Sequence, residues 1–363
     1  MNRYRIDRKG LAKIRAIIIA VVIIVSIATV SAVYFITQPT KTKPPEPLYE
    51  TTIGVIAAYY EASLPVLVAE AMGYFDAEGV KVNFLTFPGG ADARKALVAG
   101  EVQFAAQGSI HGLIARGAGA DVKIVAPIYD LSTIAMFVRK ELKDVVKDVS
   151  DLKGRVIGCS RFGSLTWGMA VLYLKKAGLD PAKDVTFIEV GSDPIAVTAA
   201  LTAGKIDAYP AFTPITFKWL KENVAYPLIE IWKPEVHLKW IGSTVSTETS
   251  LLTREDIIKK NPELVQKVVN ALKKGLSYIK TRSSSEIADV LLRNPKTAEQ
   301  FAGLPKEDVL GILDLLKPGY SDGVFTREGY MAMAGPLVEF KIVPKDIPFE
   351  ECVDWRFAGL KGR

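Results

Sequence analysis

Ala96-Leu97-Val98-Ala99-Gly100-Glu101-Val102-Gln103-Phe104-Ala105 has an echo in Ala200-Leu201-Thr202-Ala203-Gly204-Lys205-Ile206-Asp207-Ala208, 104 residues further along the chain. Each copy reads as the end of a short helix, a glycine where left-handed geometry costs least, and then a buried strand. The echo extends upstream. Val82-Asn83-Phe84-Leu85 and Val185-Thr186-Phe187-Ile188 are both strand-like, and Ile53-Gly54-Val55 matches Ile157-Gly158-Cys159. Two β-α-β-α-β units in succession predict two α/β lobes, each built on a parallel sheet. A chain with two such lobes has a cleft between them, where this architecture places a ligand. The expected partition is residues 51–135 with 238–363 for the first lobe and 136–237 for the second.

The charge distribution sets the N-terminus apart. Of a formal net charge of +6 over 363 residues, positions 1–15 carry +5 (Arg3, Arg5, Arg8, Lys9, Lys13 and Arg15 against Asp7), which leaves +1 for the other 348. A nucleic-acid binder would spread a basic patch over its folded part, so nucleic acid is not an expected partner. From position 16 to position 38 no residue is charged, and an apolar run of about 20 residues matches the roughly 30 Å hydrocarbon core of a bilayer. The basic flank before it predicts a cytoplasmic tail (1–15), a membrane anchor (16–38) and a folded part outside the membrane. Val30-Ser31-Ala32 also fits a signal cleavage site, so a secreted form stands as the alternative. Pro39-Thr40-Lys41-Thr42-Lys43-Pro44-Pro45-Glu46-Pro47 reads as a stiff stalk reaching to about residue 50. The two cysteines, Cys159 and Cys352, either pair outside the cell or remain buried thiols.

Along the folded part, Ser63 is expected to cap a helix running to Ala71, with Pro65 in its first turn. Positions 134–138 and 237–246 read as the two crossings between lobes, and Asp184 to Val190 as a strand. From Thr253, whose spacing to Asp256 suits a capped start, helical periodicity takes over through Ile257, Leu264, Val268, Leu272 and Leu276. Further helices are expected near 286–292, 306–316 and 327–340, packed on the first lobe.

Catalytic constellations are absent from the pattern. The chain has only His111 and His237, neither beside an obvious nucleophile, and no metal-ligand spacing, so no cofactor is expected. Gly158-Cys159-Ser160-Arg161-Phe162 lacks the closing glycine of a nucleophile elbow. The turns that follow strands are better candidates. Ser160-Arg161-Phe162-Gly163-Ser164 opens a helix whose free N–H groups favour an anion, and Arg161 would add a two-pronged contact; the plainer reading is that Ser164 only caps and Arg161 is solvated. Tyr59 and Tyr60 hold the matching place in the first lobe, where one ring would face the cleft and the other pack inward. Gly90, at the opening of the next helix, and Gln107, Gly108 and Ser109, at the end of a strand, are candidates for the same cleft. Gly191, Tyr209 and Phe212 supply the second lobe's turns, with packing the alternative for both rings; Trp167 reads as core.

Leu64-Pro65, Ala69-Glu70-Ala71-Met72-Gly73-Tyr74-Phe75-Asp76-Ala77-Glu78-Gly79-Val80-Lys81-Val82, the stretch 96–105 and Asp151-Leu152-Lys153-Gly154 together resemble the solute-binding proteins for nitrate, sulfonate, taurine and thiamine pyrimidine, the NMT1/THI5-like family. The resemblance spans roughly residues 51–360. It implies a type II periplasmic-binding-protein fold and an extracytoplasmic receptor that hands a small, anionic solute to an ABC permease. An enzyme related to thiamine-pyrimidine synthesis, on the same fold, is the alternative. Phe212-Thr213-Pro214 lacks the acidic residue common at that point, which argues against taurine, and the cysteine cluster of the pyrimidine-synthesising relatives is missing.

Overall fold

The computed structural model describes residues 49–57, 60–343 and 346–362. The expected tail and anchor, and the stalk up to residue 48, lie outside them, as does Tyr59. Among the described residues no helix is long and apolar enough to cross a membrane.

Among the described residues ten strands run in chain order: β1 (Tyr49–Ile56), β2 (Val80–Phe87), β3 (Phe104–Gly108), β4 (Val122–Tyr129), β5 (Ala135–Arg139), β6 (Val156–Cys159), β7 (Thr186–Glu189), β8 (Ala208–Ala211), β9 (Ala225–Ile229) and β10 (Thr249–Arg254). They form two five-stranded sheets, β2-β1-β3-β10-β4 and β7-β6-β8-β5-β9. Position for position these are one sheet twice. The fourth place in each belongs to the strand laid down just after the chain crosses over.

Those two strands correct the expectation of parallel sheets, because β10 runs antiparallel to β3 and β4, and β5 antiparallel to β8 and β9. Only residues 130–134 separate β4, in the first sheet, from β5, in the second, so β5 enters its sheet where β8 ends, Ala135 beside Ala211, and runs the other way. β10 was not expected at all. Thr253 sits inside it, its hydroxyl donating to the Gln103 carbonyl at 2.7 Å, instead of capping a helix. His237, expected to open the second crossing, lies in the helix Pro234–Ile241.

The helices of eight residues or more are α1 (Tyr60–Ala71), α2 (Gly90–Ala99), α3 (Ile110–Gly117), α4 (Leu165–Lys176), α5 (Pro194–Thr202), α6 (Thr213–Glu222), α7 (Pro234–Ile241), α8 (Pro262–Thr281), α9 (Ser284–Arg293), α10 (Lys306–Leu316) and α11 (Arg327–Glu339). The repeated glycines behave as read: Gly100 and Gly204 take φ of 86° and 70°. α1 starts three residues before Ser63 and carries Pro65 inside it. Proline has no N–H for the Glu61 carbonyl one turn back. That carbonyl accepts instead from the Thr249 hydroxyl of β10, at 3.3 Å. Cys159 and Cys352 are both buried free thiols, and Trp167 is half-buried, edge-on to Phe187, rather than core.

Each sheet has its own apolar core, and α8 to α11 pack on the first. Leu264, Val268, Leu272 and Leu276 are each at most 4 % exposed, as their spacing predicted. α8 reaches α1 so closely that a Cβ on Gly275 would stand 2.3 Å from the Pro65 carbonyl oxygen. A mid-helix Gly→Ala change ordinarily adds about 1 kcal/mol of helix propensity. Gly275→Ala is nevertheless expected to lower stability by about 1–3 kcal/mol through overpacking. Gly335→Ala in α11, where a Cβ meets nothing within 4 Å, should not. Denaturant midpoints of the two variants check this.

Candidate functional site

The parallel strands of both sheets end on one cleft of about 480 Å³. β1 brings Ile56 and Ala57 to it, the turn into α2 brings Gly89 and Gly90, and β3 with α3 brings Gly108, Ile110 and His111. Across from them stand Gly163, Ser164 and Leu165 at the start of α4, Ser192 after β7, and Phe212 after β8. Ile342, just past α11, closes one side. Four of the sequence candidates, Gly90, Gly108, Ser164 and Phe212, therefore line the same cleft. Apolar side chains dominate the walls.

The charged side chain in this lining is Arg94, one turn beyond Gly90 on the same face of α2. Its Nη1 lies 3.4 Å from His111 Nδ1. Burial lowers the guanidinium pKa, and no carboxylate offsets that among the described residues. Burial, and secondly the Arg94 charge, pushes His111 down to about 4, so the imidazole is neutral near pH 7. A neutral ring has one nitrogen free to accept. Gly90 has no side chain because the His111 ring occupies that space: a Cβ would fall 2.0 Å from Nε2.

Of the anion site expected at residues 160–164, Gly163 and Ser164 reach the cleft lining. Arg161 is exposed and outside the cleft lining. The Phe162 N–H already donates to the Glu189 carboxylate at 2.7 Å. Ser160, Ser164 and Thr166 close a triangle of hydroxyl contacts at 2.9–3.0 Å, and Ser164 Oγ caps α4 by accepting from the Trp167 N–H. Ser160 is thus a support for Ser164. Tyr60 also turns inward, 4 % exposed and stacked on Phe301 at 5.2 Å. Tyr209 is fully buried, and its hydroxyl donates to the Gly191 carbonyl, which holds the turn that presents Ser192. Ser109 is tied to Ser250 by a 2.6 Å contact between hydroxyls. Gln107 is 0 % exposed with neither amide atom partnered in the protein.

Arg94 and the place of His111 in the cleft lining escaped the sequence reading. The available signal was the i, i+4 spacing of Gly90 and Arg94, which puts both on one helix face.

A family model described as NMT1/THI5 like matches residues 61–283. The riboflavin-binding protein RibY of Chloroflexus aurantiacus is 31% identical over 284 residues, 73% of this chain and 74% of that protein. The 4-amino-5-hydroxymethyl-2-methylpyrimidine phosphate synthase THI13 of Saccharomyces cerevisiae is 26% identical over 225 residues, 60% of this chain and 63% of that protein, so the chain matches less than two thirds of the synthase's length. In three dimensions the periplasmic aliphatic sulphonate binding protein SsuA of Escherichia coli superposes with a TM-score of 0.67 at 20% identity, over 88% of this chain and 95% of that one. That likeness establishes the type II periplasmic-binding-protein fold.

The two histidines give a direct check on the site. NMR titration should show His111 neutral from pH 7 to about pH 5 and protonating near 4. Arg94→Ala should raise that midpoint only part of the way towards the ordinary 6.5, because burial is the larger cause. An ordinary midpoint for His111 in the unaltered chain would contradict the geometry.

Proposed function

The chain belongs to the NMT1/THI5-like family, and on that footing we propose that it is the extracytoplasmic solute-binding component of an ABC importer. One observation carries the reading: the strand ends and helix N-termini of two matching lobes converge on a single apolar cleft that holds one guanidinium without a carboxylate. Its volume of about 480 Å³ falls in the range of small-molecule sites, about 300–1,000 Å³. Such walls suit a flat or apolar body, and Arg94 suits an anionic or strongly accepting group on it. His111 adds a polar contact without a second charge. Gly90, Gly108, Ser164, Ser192 and Phe212 would shape the site, with Tyr209 and Gly191 positioning it. Names among the relatives and structural neighbours, riboflavin-binding and sulphonate-binding, supply examples of both halves of such a ligand.

Mass spectrometry of small molecules released from the purified full chain should identify a solute of this kind. With that molecule, calorimetry should show Arg94→Ala weakening binding about ten- to a hundredfold, the range of one charged hydrogen bond at about 1.5–3 kcal/mol. Unchanged affinity would place the ligand elsewhere.

A second reading, an enzyme of thiamine-pyrimidine synthesis, is favoured by His111 standing in the cleft and by the likeness to the yeast synthase. Against it, the Cys159 thiol is buried and pushed up to about 11, which leaves it unreactive at neutral pH. Recovery of the solute chemically altered, or bonded to the chain, would decide for the enzyme.

The N-terminal segment belongs to the same proposal. Residues 16–38 would anchor the receptor beside its permease, with the folded part outside. Protease added to intact cells should then release a soluble fragment beginning in the proline-rich stalk. A mature N-terminus at Val33 recovered from the medium would show a cleaved signal instead.

A further inference from the structure

Beside the cleft, next to Phe212 of its lining, the two lobes meet through a buried carboxyl group. Glu61 lies in the first turn of α1, beneath the first sheet, and is 0 % exposed. Its Oε1 accepts a hydrogen bond from the Thr213 hydroxyl at the start of α6, which belongs to the other lobe. Its Oε2 has no partner in the protein. Around this contact, Phe217 of α6 lies on Gly311 of α10, where a Cβ would come within 2.4 Å of the ring, and Lys221 pairs with Asp308. α6 is thus seated on first-lobe helices along one side, with Glu61–Thr213 at the sealed end.

A carboxylate in such a place, with one hydroxyl and no cation, is costly. The ionisable groups that act on Glu61 or respond to it are Tyr60 on its own turn, Tyr129 at the end of β4, Glu248 on the run into β10, and Tyr320 after α10. None is cationic. α6 contributes the Thr213 hydroxyl and amide; the backbone N–H groups of Glu61 and Thr213 favour the anion, but burial outweighs them and pushes Glu61 up to about 8.

We infer that Glu61 and Thr213 form an interlobe latch that takes up one proton from solvent as the lobes close, so that closure weakens as the medium becomes alkaline. The inference rests on the reading of the protein as a receptor whose lobes close. When they part, Thr213 leaves, water reaches Glu61, and its pKa relaxes towards the usual value of about 4.3. The closed form therefore binds more protons than the open form between about pH 4.3 and pH 8. In that window each pH unit lowers the closing equilibrium by up to tenfold, the limit for one proton. Above about 8 the effect levels off, because Glu61 is then ionised in both forms.

Pulsed dipolar EPR on the ligand-free full chain reads the interlobe distance directly. Nitroxides at Glu101→Cys and Lys205→Cys occupy exposed, equivalent positions of the two lobes, while the native Cys159 and Cys352 are buried. The closed fraction should fall from pH 6 to pH 8 and then level. Glu61→Gln, which keeps an oxygen for Thr213 but cannot ionise, should flatten the change between pH 7 and pH 8; Glu248→Gln should retain it. Thr213→Val should shift the chain towards the open form at pH 6. A distance distribution invariant with pH, or a Glu61→Gln variant with the original pH response, overturns the latch. Because no solute takes part, that failure stays separate from the mass-spectrometric test of the receptor reading.

Discussion

Two antiparallel strands hold the molecule to its shape. β5 and β10 each lie inside a sheet and are hydrogen-bonded along both edges, so neither can peel away without orphaning a row of backbone groups. Each is also the first strand after a crossing. The lobes are consequently stitched together by chain that is itself core, and bending falls to the short runs around residues 130–134 and 242–248. These two runs are bonded to one another. The Ser246 N–H donates to the Asp130 carbonyl at 2.6 Å and the Glu248 N–H to the neighbouring Tyr129 carbonyl at 3.0 Å, while the Asp130 N–H is held from outside both runs by the Gly319 carbonyl at 2.7 Å. If the lobes move as proposed above, two cross-bonded segments would constrain them to rotate about one line, which is what a cleft closing over a small molecule requires.

The same feature marks the limit of what the sequence could disclose. The repeat at 96–105 and 200–208 was legible because its elements are local: a helix end, a glycine, a strand. β10 was not. Thr249-Ser250-Leu251-Leu252-Thr253-Arg254 shows no alternation, since both its faces are covered, and Thr253 with Asp256 imitates a helix start. Only its two neighbours make it a strand, and both are distant in sequence. The site divides along the same line. Gly90, Gly108, Ser164 and Phe212 could be placed because turns after strands face the cleft in this architecture. Arg161 looked suitable beside a helix N-terminus, but the nearby amide was already taken by Glu189, which lies in a different strand. Arg94 and His111 come together across two helices, and nothing local announces their pairing.

The charges near the cleft are arranged unequally with depth. Arg94 lies in the lining, its pKa lowered by burial but with the guanidinium still charged. Burial raises Glu61, beside the cleft, to about 8, and Glu248 and Asp130, in the runs that join the lobes, to about 7. Were all three acids ionised, an anion approaching Arg94 would meet a negative field that a low-dielectric interior screens poorly. Held largely neutral, Glu61 leaves the positive group dominant at the ligand. In the receptor proposed above, rising pH would work in the opposite direction on both counts: it would strip the proton from the contact between the lobes and restore repulsion towards an anionic ligand. Closure and anion preference would thereby depend on the same Glu61 proton, and burial of that carboxyl group is what would tie them.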